Sequence, residues 1–174
     1  MKHAFVDESA RGGYLICAVA IAPADLPASR RALRKLCKPG QQRIHMASES
    51  DSRRREILSM IDGIEVAAHV YQAELAKSAQ RVVRDDCFRA AVPSLIAMGV
   101  SRLIIESCNQ DRQDRLVIHE ALSKADAHDL LVYGHDRPAL EPLLWVPDAL
   151  AWAYGKGGDW RRRTRGAIQG VIKV

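Results

Sequence analysis

Acidic residues recur in this chain where apolar runs end. His3-Ala4-Phe5-Val6 passes directly into Asp7-Glu8-Ser9, Leu103-Ile104-Ile105 into Glu106, and Leu144-Trp145-Val146-Pro147 into Asp148. Short apolar runs of this kind build the core, so the carboxylates stand at the mouths of core elements. An acid in such a place is costly unless a cation compensates it. A divalent metal or an arginine would serve. Three acids so placed are what a magnesium-dependent phosphoryl-transfer site needs, because hard cations take oxygen ligands. Side chains alternate along a strand, so Asp7 and Glu8 face opposite sides. Asp7 is read as the inward ligand and Glu8 as its support.

Each acid also has a structural alternative. Asp7 could cap the Gly12-Gly13 turn, Glu106 could pair with a buried arginine, and Asp148 could complement a helix dipole. Their shared position at the ends of apolar segments favours the metal. His45 is a candidate to shuttle a proton or hold a leaving oxygen, set against an ordinary structural histidine. His135, beside Asp136-Arg137, is a further candidate. Ser9 has no G-x-S-x-G elbow around it, and the chain carries neither a phosphate-binding G-x-x-x-x-G-K-[ST] loop nor an H-E-x-x-H zinc motif.

The elements that must position these residues can be read from pattern and punctuation. Tyr14 to Ala22 is almost continuously apolar and follows Gly12-Gly13, so it pairs with the first strand as a hairpin. Pro23 to Lys38 reads as a helix stopped by Pro39-Gly40, and Ser52 to Ile61 as a second, with Ile57, Leu58 and Ile61 inward. Ile64 to Ala73 alternates as a strand. Lys77 to Met98 has helical period, kinked or split by Pro93. Ser101 to Ser107 and Leu130 to His135 read as strands, Asp111 to Ala127 and Pro147 to Tyr154 as helices, and the tail as a last helical turn or a strand at Val171 to Val174. The expected architecture is an α/β mixed five-stranded sheet covered by helices, with a helical insertion between the second and third strands. The carboxyl ends of adjacent parallel strands would form the site.

This order of elements and acids resembles the ribonuclease-H-like fold, and more closely a large bacterial group, the domain of unknown function 3800 family. The resemblance rests on Phe5-Val6-Asp7-Glu8-Ser9, Arg43-Ile44-His45-Met46-Ala47-Ser48-Glu49, Leu103-Ile104-Ile105-Glu106-Ser107 and the Pro147-Asp148 that opens a late helix. It covers nearly the whole chain as one domain, residues 1–174. It implies a nuclease-type site holding Mg²⁺ or Mn²⁺ on Asp7, Glu106 and Asp148. Such enzymes usually take a further acid from the helix after the third strand. That helix offers only Asp85 and Asp86, well inside it, so Glu49 is the candidate for that role. The alternatives are a non-catalytic member of the fold that binds nucleic acid or protein, and one half of a toxin–antitoxin or phage-defence pair.

Composition sets the frame. The chain has 174 residues, 48% hydrophobic and 27% charged, enough to bury one sizeable core. No apolar stretch approaches the roughly 18 residues of a membrane span, and the opening residues do not read as a signal peptide, so a cytoplasmic location without membrane contact is expected. Cys17, Cys37, Cys87 and Cys108 form no C-x-x-C pair and read as reduced structural thiols. Net charge is +5. Arginines concentrate at Arg30-Arg31, Arg34-Lys35, Arg53-Arg54-Arg55 and Arg161-Arg162-Arg163 with Arg165. Arginine's planar fork suits phosphate, so Arg53, Arg161, Arg162, Arg163 and Arg165 are candidate nucleic-acid contacts, against the usual reading of a charge run as a solvated face. Aromatic residues make up 5%, too few for an open stacking platform. A protein partner or a homo-oligomer stays open.

Overall fold

The computed structural model describes residues 1–74 and 80–174. Strands β1 (Lys2–Ser9) and β2 (Tyr14–Ile21) form a hairpin, followed by α1 (Leu26–Lys35), α2 (Asp51–Asp62) and β3 (Ala67–Ala73). Then come α3 (Gln80–Ala97), β4 (Val100–Glu106), α4 (Asp111–Lys124), β5 (Val132–Asp136), α5 (Trp145–Lys156), α6 (Gly158–Arg162) and β6 (Ile168–Lys173). The six strands make one mixed sheet in the order β5-β4-β1-β2-β3-β6. β2 runs antiparallel to both of its neighbours, β1 and β3, while β4 and β5 lie parallel to β1 and β6 lies parallel to β3.

The expected five strands are therefore corrected to six. The tail, read as a helical turn or a strand at its last residues, supplies both a short helix and an edge strand. Along β6, residues alternate between half-buried and exposed, as an edge strand covered on one face should. The helical insertion between the second and third strands is present as α1 and α2. The start of the third helix, placed by its period at Lys77, falls outside the described residues. From Gln80 the helix runs unbroken through Pro93 to Ala97.

β1 and β2 occupy the middle of the sheet, and every residue of β2 is buried. That is why its sequence is an unbroken apolar run rather than an alternation. Alternate residues feed two separate cores. Phe5, Leu15, Cys17 and Val19 pack with α1, α2 and α5 on one face, while Ala4, Val6, Tyr14 and Ile16 pack with α3 and α4 on the other. α5 lies directly across β1 and β2 and is buried from Trp145 to Ala153. Cys17 and Cys87 are buried, Cys37 is half-buried and Cys108 is exposed, and all four are free thiols. Burial, with Asp86 adding to it and Arg84 opposing, pushes the Cys87 thiol up to about 12, so it behaves as an apolar filler. Among the described residues no helix is long and apolar enough to cross a membrane.

Candidate functional site

β1 and β4 run parallel with Val6 opposite Ile105, so Asp7 and Glu106 leave neighbouring strands at the same end. Asp7 shares the parity of Phe5, and Glu106 that of Ile104, so both belong to the face covered by α5. Asp148 sits in the first turn of that helix. Its Oδ2 accepts the Met46 backbone N–H at 2.8 Å, and its Oδ1 lies 3.4 Å from His45 Nδ1. The stretch before the short 3-10 turn Met46–Ser48 thus docks on the N-terminal end of α5. It brings Arg43 in as well, whose Nη1 lies 3.2 Å from Glu106 Oε1. Two parallel strands, one helix and one loop therefore meet at Asp7, Glu106, Asp148 and His45.

The electrostatics show which of these groups lacks compensation. Burial pushes the Asp7 carboxyl well up from its ordinary value, and Glu106 and Asp148 push it further, with Arg43 and Arg84 opposing only in part. Burial also raises Glu106, with Arg43 opposing it and Asp148 adding to it. Asp148 acts in the other direction on His45, holding the imidazolium up against its partial burial. Among the described residues, Asp7 Oδ1 accepts only the N–H of its own neighbour Glu8, at 2.7 Å. An oxygen-only set in which Glu106 and Asp148 raise Asp7, and Asp148 raises Glu106, suits a hard divalent cation, which would relieve the repulsion.

Two cavities open from these residues. One of about 100 Å³ is bounded by Asp7, Glu8, Arg84, Glu106 and Cys108. Another of about 440 Å³ is bounded by Ser9, Arg11, His45, Ala47, Asp148 and Trp152. A larger one, about 610 Å³, lies between the ends of β3 and β6 and the helix pair α5–α6, and none of the three acids borders it. Its size is no guide to the chemistry.

Other expected residues lie elsewhere. Glu49 is buried, but its contacts are Gln41 Nε2 at 2.7 Å and Arg53 Nε at 3.7 Å, so it ties the loop to α2. Arg53 is equally engaged, with Glu56 at 2.6 Å and with the Leu36 carbonyl. In the tail, Arg162 and Arg163 pair with Asp159 at 3.2 and 2.9 Å, and Arg161 lies over the Tyr154 ring at 4.1 Å. Arg165 has no ion pair among the described residues and is exposed.

Across the sheet lies a second polar cluster, which sequence reading did not assemble. Glu8 pairs with Tyr14 and Arg84. Arg84 also makes two bonds to the fully buried Asp114, at 2.7 and 2.8 Å, and His135 Nε2 lies 3.0 Å from the same carboxylate. Burial pushes Asp114 up, but Arg84 and His135 outweigh it and hold the carboxyl below its ordinary value. Ligand atoms of Cys108, Asp111 and Asp114 lie within 4.8 Å of one another, a group that could hold a metal ion. Its members also have protein partners: Asp111 accepts from the Cys108 N–H and the Ser107 hydroxyl, each at 2.7 Å, and Asp114 holds Arg84. His135 belongs here, on the face away from Asp7. The i,i+3 spacing of Asp111 and Asp114 on one helix face was the available signal. Arg43 and Arg84 gave none, since their partners Glu106 and Asp114 lie far off in sequence and on other elements.

No protein-family model matches the chain, and no curated protein matches it.

Proposed function

We propose that this chain is a ribonuclease-H-like, metal-dependent hydrolase of phosphodiester bonds in RNA or DNA. The observation that carries the reading is that Asp7 and Glu106 leave neighbouring parallel strands at one end of the sheet, where Asp148, from the first turn of α5, raises both carboxyls. The strand order β5-β4-β1-β2-β3, antiparallel within the first hairpin unit and parallel outward from β1, supports the fold assignment, with β6 as an added edge. The ordered motifs around Asp7, His45, Glu106 and Asp148 support membership of the domain of unknown function 3800 group.

In this reading Asp7, Glu106 and Asp148 hold one or two Mg²⁺ or Mn²⁺ ions. Bound there, such ions supply a Lewis acid and an activated water. The chain's own residues do the rest. Asp7 provides the uncompensated carboxylate that makes the site selective for a cation. Asp148 positions the Met46 backbone and keeps His45 charged, so that His45 can give a proton to the leaving oxygen. Arg43 reduces the negative charge that a phosphate must approach. Glu49 holds the loop that carries Arg43 and His45, rather than the ion. Arg165 and the neighbouring tail arginines position the phosphate backbone without reading sequence.

One contact favours the second reading, a nucleic-acid- or protein-binding member that has lost catalysis. Arg43 already pairs with Glu106, which partly compensates one of the acids without metal. The deciding experiment is paired. Melting is measured with and without Mn²⁺, and cleavage of single- and double-stranded RNA and DNA is measured alongside. The hydrolase reading expects a Mn²⁺-dependent rise in melting temperature and Mn²⁺-dependent cleavage, both lost in Asp7→Asn. A wild type with no shift and no cleavage of any substrate returns the binding reading.

A further inference from the structure

The cavity of about 440 Å³ beside Asp148 has a wall that the chemistry above does not use. It is the turn between β1 and β2, which carries Arg11. That turn is seated on the end of α5 by two glycines. Gly12 has φ +69°, and a Cβ there would lie 2.7 Å from the Gly155 carbonyl oxygen. A Cβ on Gly155 would lie 2.3 Å from the Arg11 carbonyl oxygen. Side chains at either position would force the turn away from the helix that carries Asp148 and Trp152. The Arg11 N–H also donates to Ser9 Oγ at 3.3 Å, which tightens the turn further.

Arg11 is exposed, and its guanidinium has no ion pair or hydrogen bond to the protein among the described residues. It lies over the indole of Trp152, 5.5 Å from the ring centroid. Arg54 lies over the same indole at 4.4 Å, but it is spent on the carbonyls of Met46 and Ala47 and on Asp51. The structure therefore holds one cation of the pair in place for its own loop and leaves the other free above the pocket. A planar guanidinium backed by an indole offers two things at once: a fork for phosphate oxygens and a flat face on which a base can stack.

We propose that this pocket seats one nucleotide of a single-stranded nucleic acid, adjacent to the bond cut at the three acids, with Arg11 gripping its phosphate. The location relative to a cleaved bond rests on the hydrolase reading; the nucleotide site itself rests on Arg11, Trp152 and the pocket. The volume falls at the lower end of the roughly 300–1,000 Å³ of small-ligand pockets. Ser9, Ala10 and Arg11 bound it with His45 and Ala47, Trp152 forms part of its wall, and the carboxylates of Glu8 and Asp148 also border it, leaving Arg11 and His45 as its cationic side. A volume of this size suits one nucleotide rather than a base pair. Substrate strandedness is then set by the β1–β2 turn and not by the carboxylates.

The test is binding of short labelled single-stranded oligonucleotides, and of the same sequences fully paired, to the full chain in EDTA, where no bond is cut. Wild type, Arg11→Ala and Arg11→Lys are compared by fluorescence anisotropy over a salt series. Arg11 is exposed, so the variants keep the fold, which circular dichroism checks. The expected result is preference for the single strand, a roughly tenfold loss in Arg11→Ala, and a salt dependence flattened by about 0.7 in log–log slope. Arg11→Lys recovers charge but not the planar fork, so its slope returns while its affinity recovers only in part. Equal affinity of Arg11→Ala and wild type, equal affinity for duplex and single strand, or no binding by wild type each overturns the proposal. Failure of the metal reading would show separately, as an absent Mn²⁺ shift in wild-type melting.

Discussion

Asp7 and Glu8 are consecutive in β1, yet their carboxylates serve opposite faces of the sheet. Asp7 faces α5 and is raised by Glu106 and Asp148, while Glu8 meets Tyr14 and Arg84 across the sheet. One strand end therefore carries an uncompensated acid and, next to it, an acid fastened into a buried ionic chain through Arg84 to Asp114 and His135. The fastening on one face holds still the residue that must bind on the other. Four consequences can be measured.

The first is a pH dependence. Burial and two neighbouring acids raise the folded Asp7 carboxyl well above its ordinary value. The folded state then keeps a proton that the unfolded chain releases near about pH 3.9. Metal-free stability from this group is complete below that pH and is lost as pH rises through the raised folded value. Asp7→Asn lacks this loss. The melting temperature of the variant should therefore exceed that of wild type by an amount that grows with pH, at about 2–4 °C for each kcal/mol. Mn²⁺ should reverse the order by stabilising wild type alone. A gap that shrinks as pH rises would contradict the placement of Asp7.

Asp148 separates two roles. Asp148→Ala leaves the Met46 N–H without its acceptor and should cost about 1–3 kcal/mol in urea unfolding. Asp148→Asn keeps a carbonyl oxygen for that bond, so its stability should lie much closer to wild type. Both should lose the Mn²⁺ shift. Equal stability of the two variants would mean that the Met46 bond does not hold the loop.

The buried chain on the other face should be purely structural. Arg84→Leu strips Asp114 of its main partner and should cost about 3–5 kcal/mol. Arg84→Leu combined with Asp114→Leu removes both charges and should recover a large part of that loss, as denaturation curves would record. If the single variant unfolds no more readily than wild type, Asp114 is not compensated by Arg84.

The seating of the turn on α5 should be sensitive to one methyl group. Gly155→Ala places a Cβ against the Arg11 carbonyl, and the overpacking should cost about 1–3 kcal/mol. Single-strand affinity should fall with it, because Arg11 is displaced from Trp152. Gly40→Ala is the comparison: nothing stands within 4 Å of its Cβ, although its φ of +81° carries backbone strain of its own. Stability lost equally in both, with affinity lost in neither, would show that the close approach is unimportant.

The sequence by itself determined the parts that depend on local pattern. Period and punctuation located most of the strands and helices, because apolar alternation, proline and glycine act over a few residues. The apolar runs ending in Asp7, Glu106 and Asp148 marked the acids for the same reason: a carboxylate next to buried residues is costly wherever the chain goes. The divergence of Asp7 and Glu8 also followed from the two-residue repeat of a strand. Pairing across large sequence separation emerges only once the chain is folded. Arg43 reaches Glu106 and Asp148 reaches Met46 because α5 and the loop cross the same strands. Glu49 pairs with Arg53, one helical turn away. The tail became a sixth strand because β3 still had an open edge to fill. None of these outcomes is encoded in a short window, since each depends on which backbone edges and charges remain unpaired once the sheet has formed.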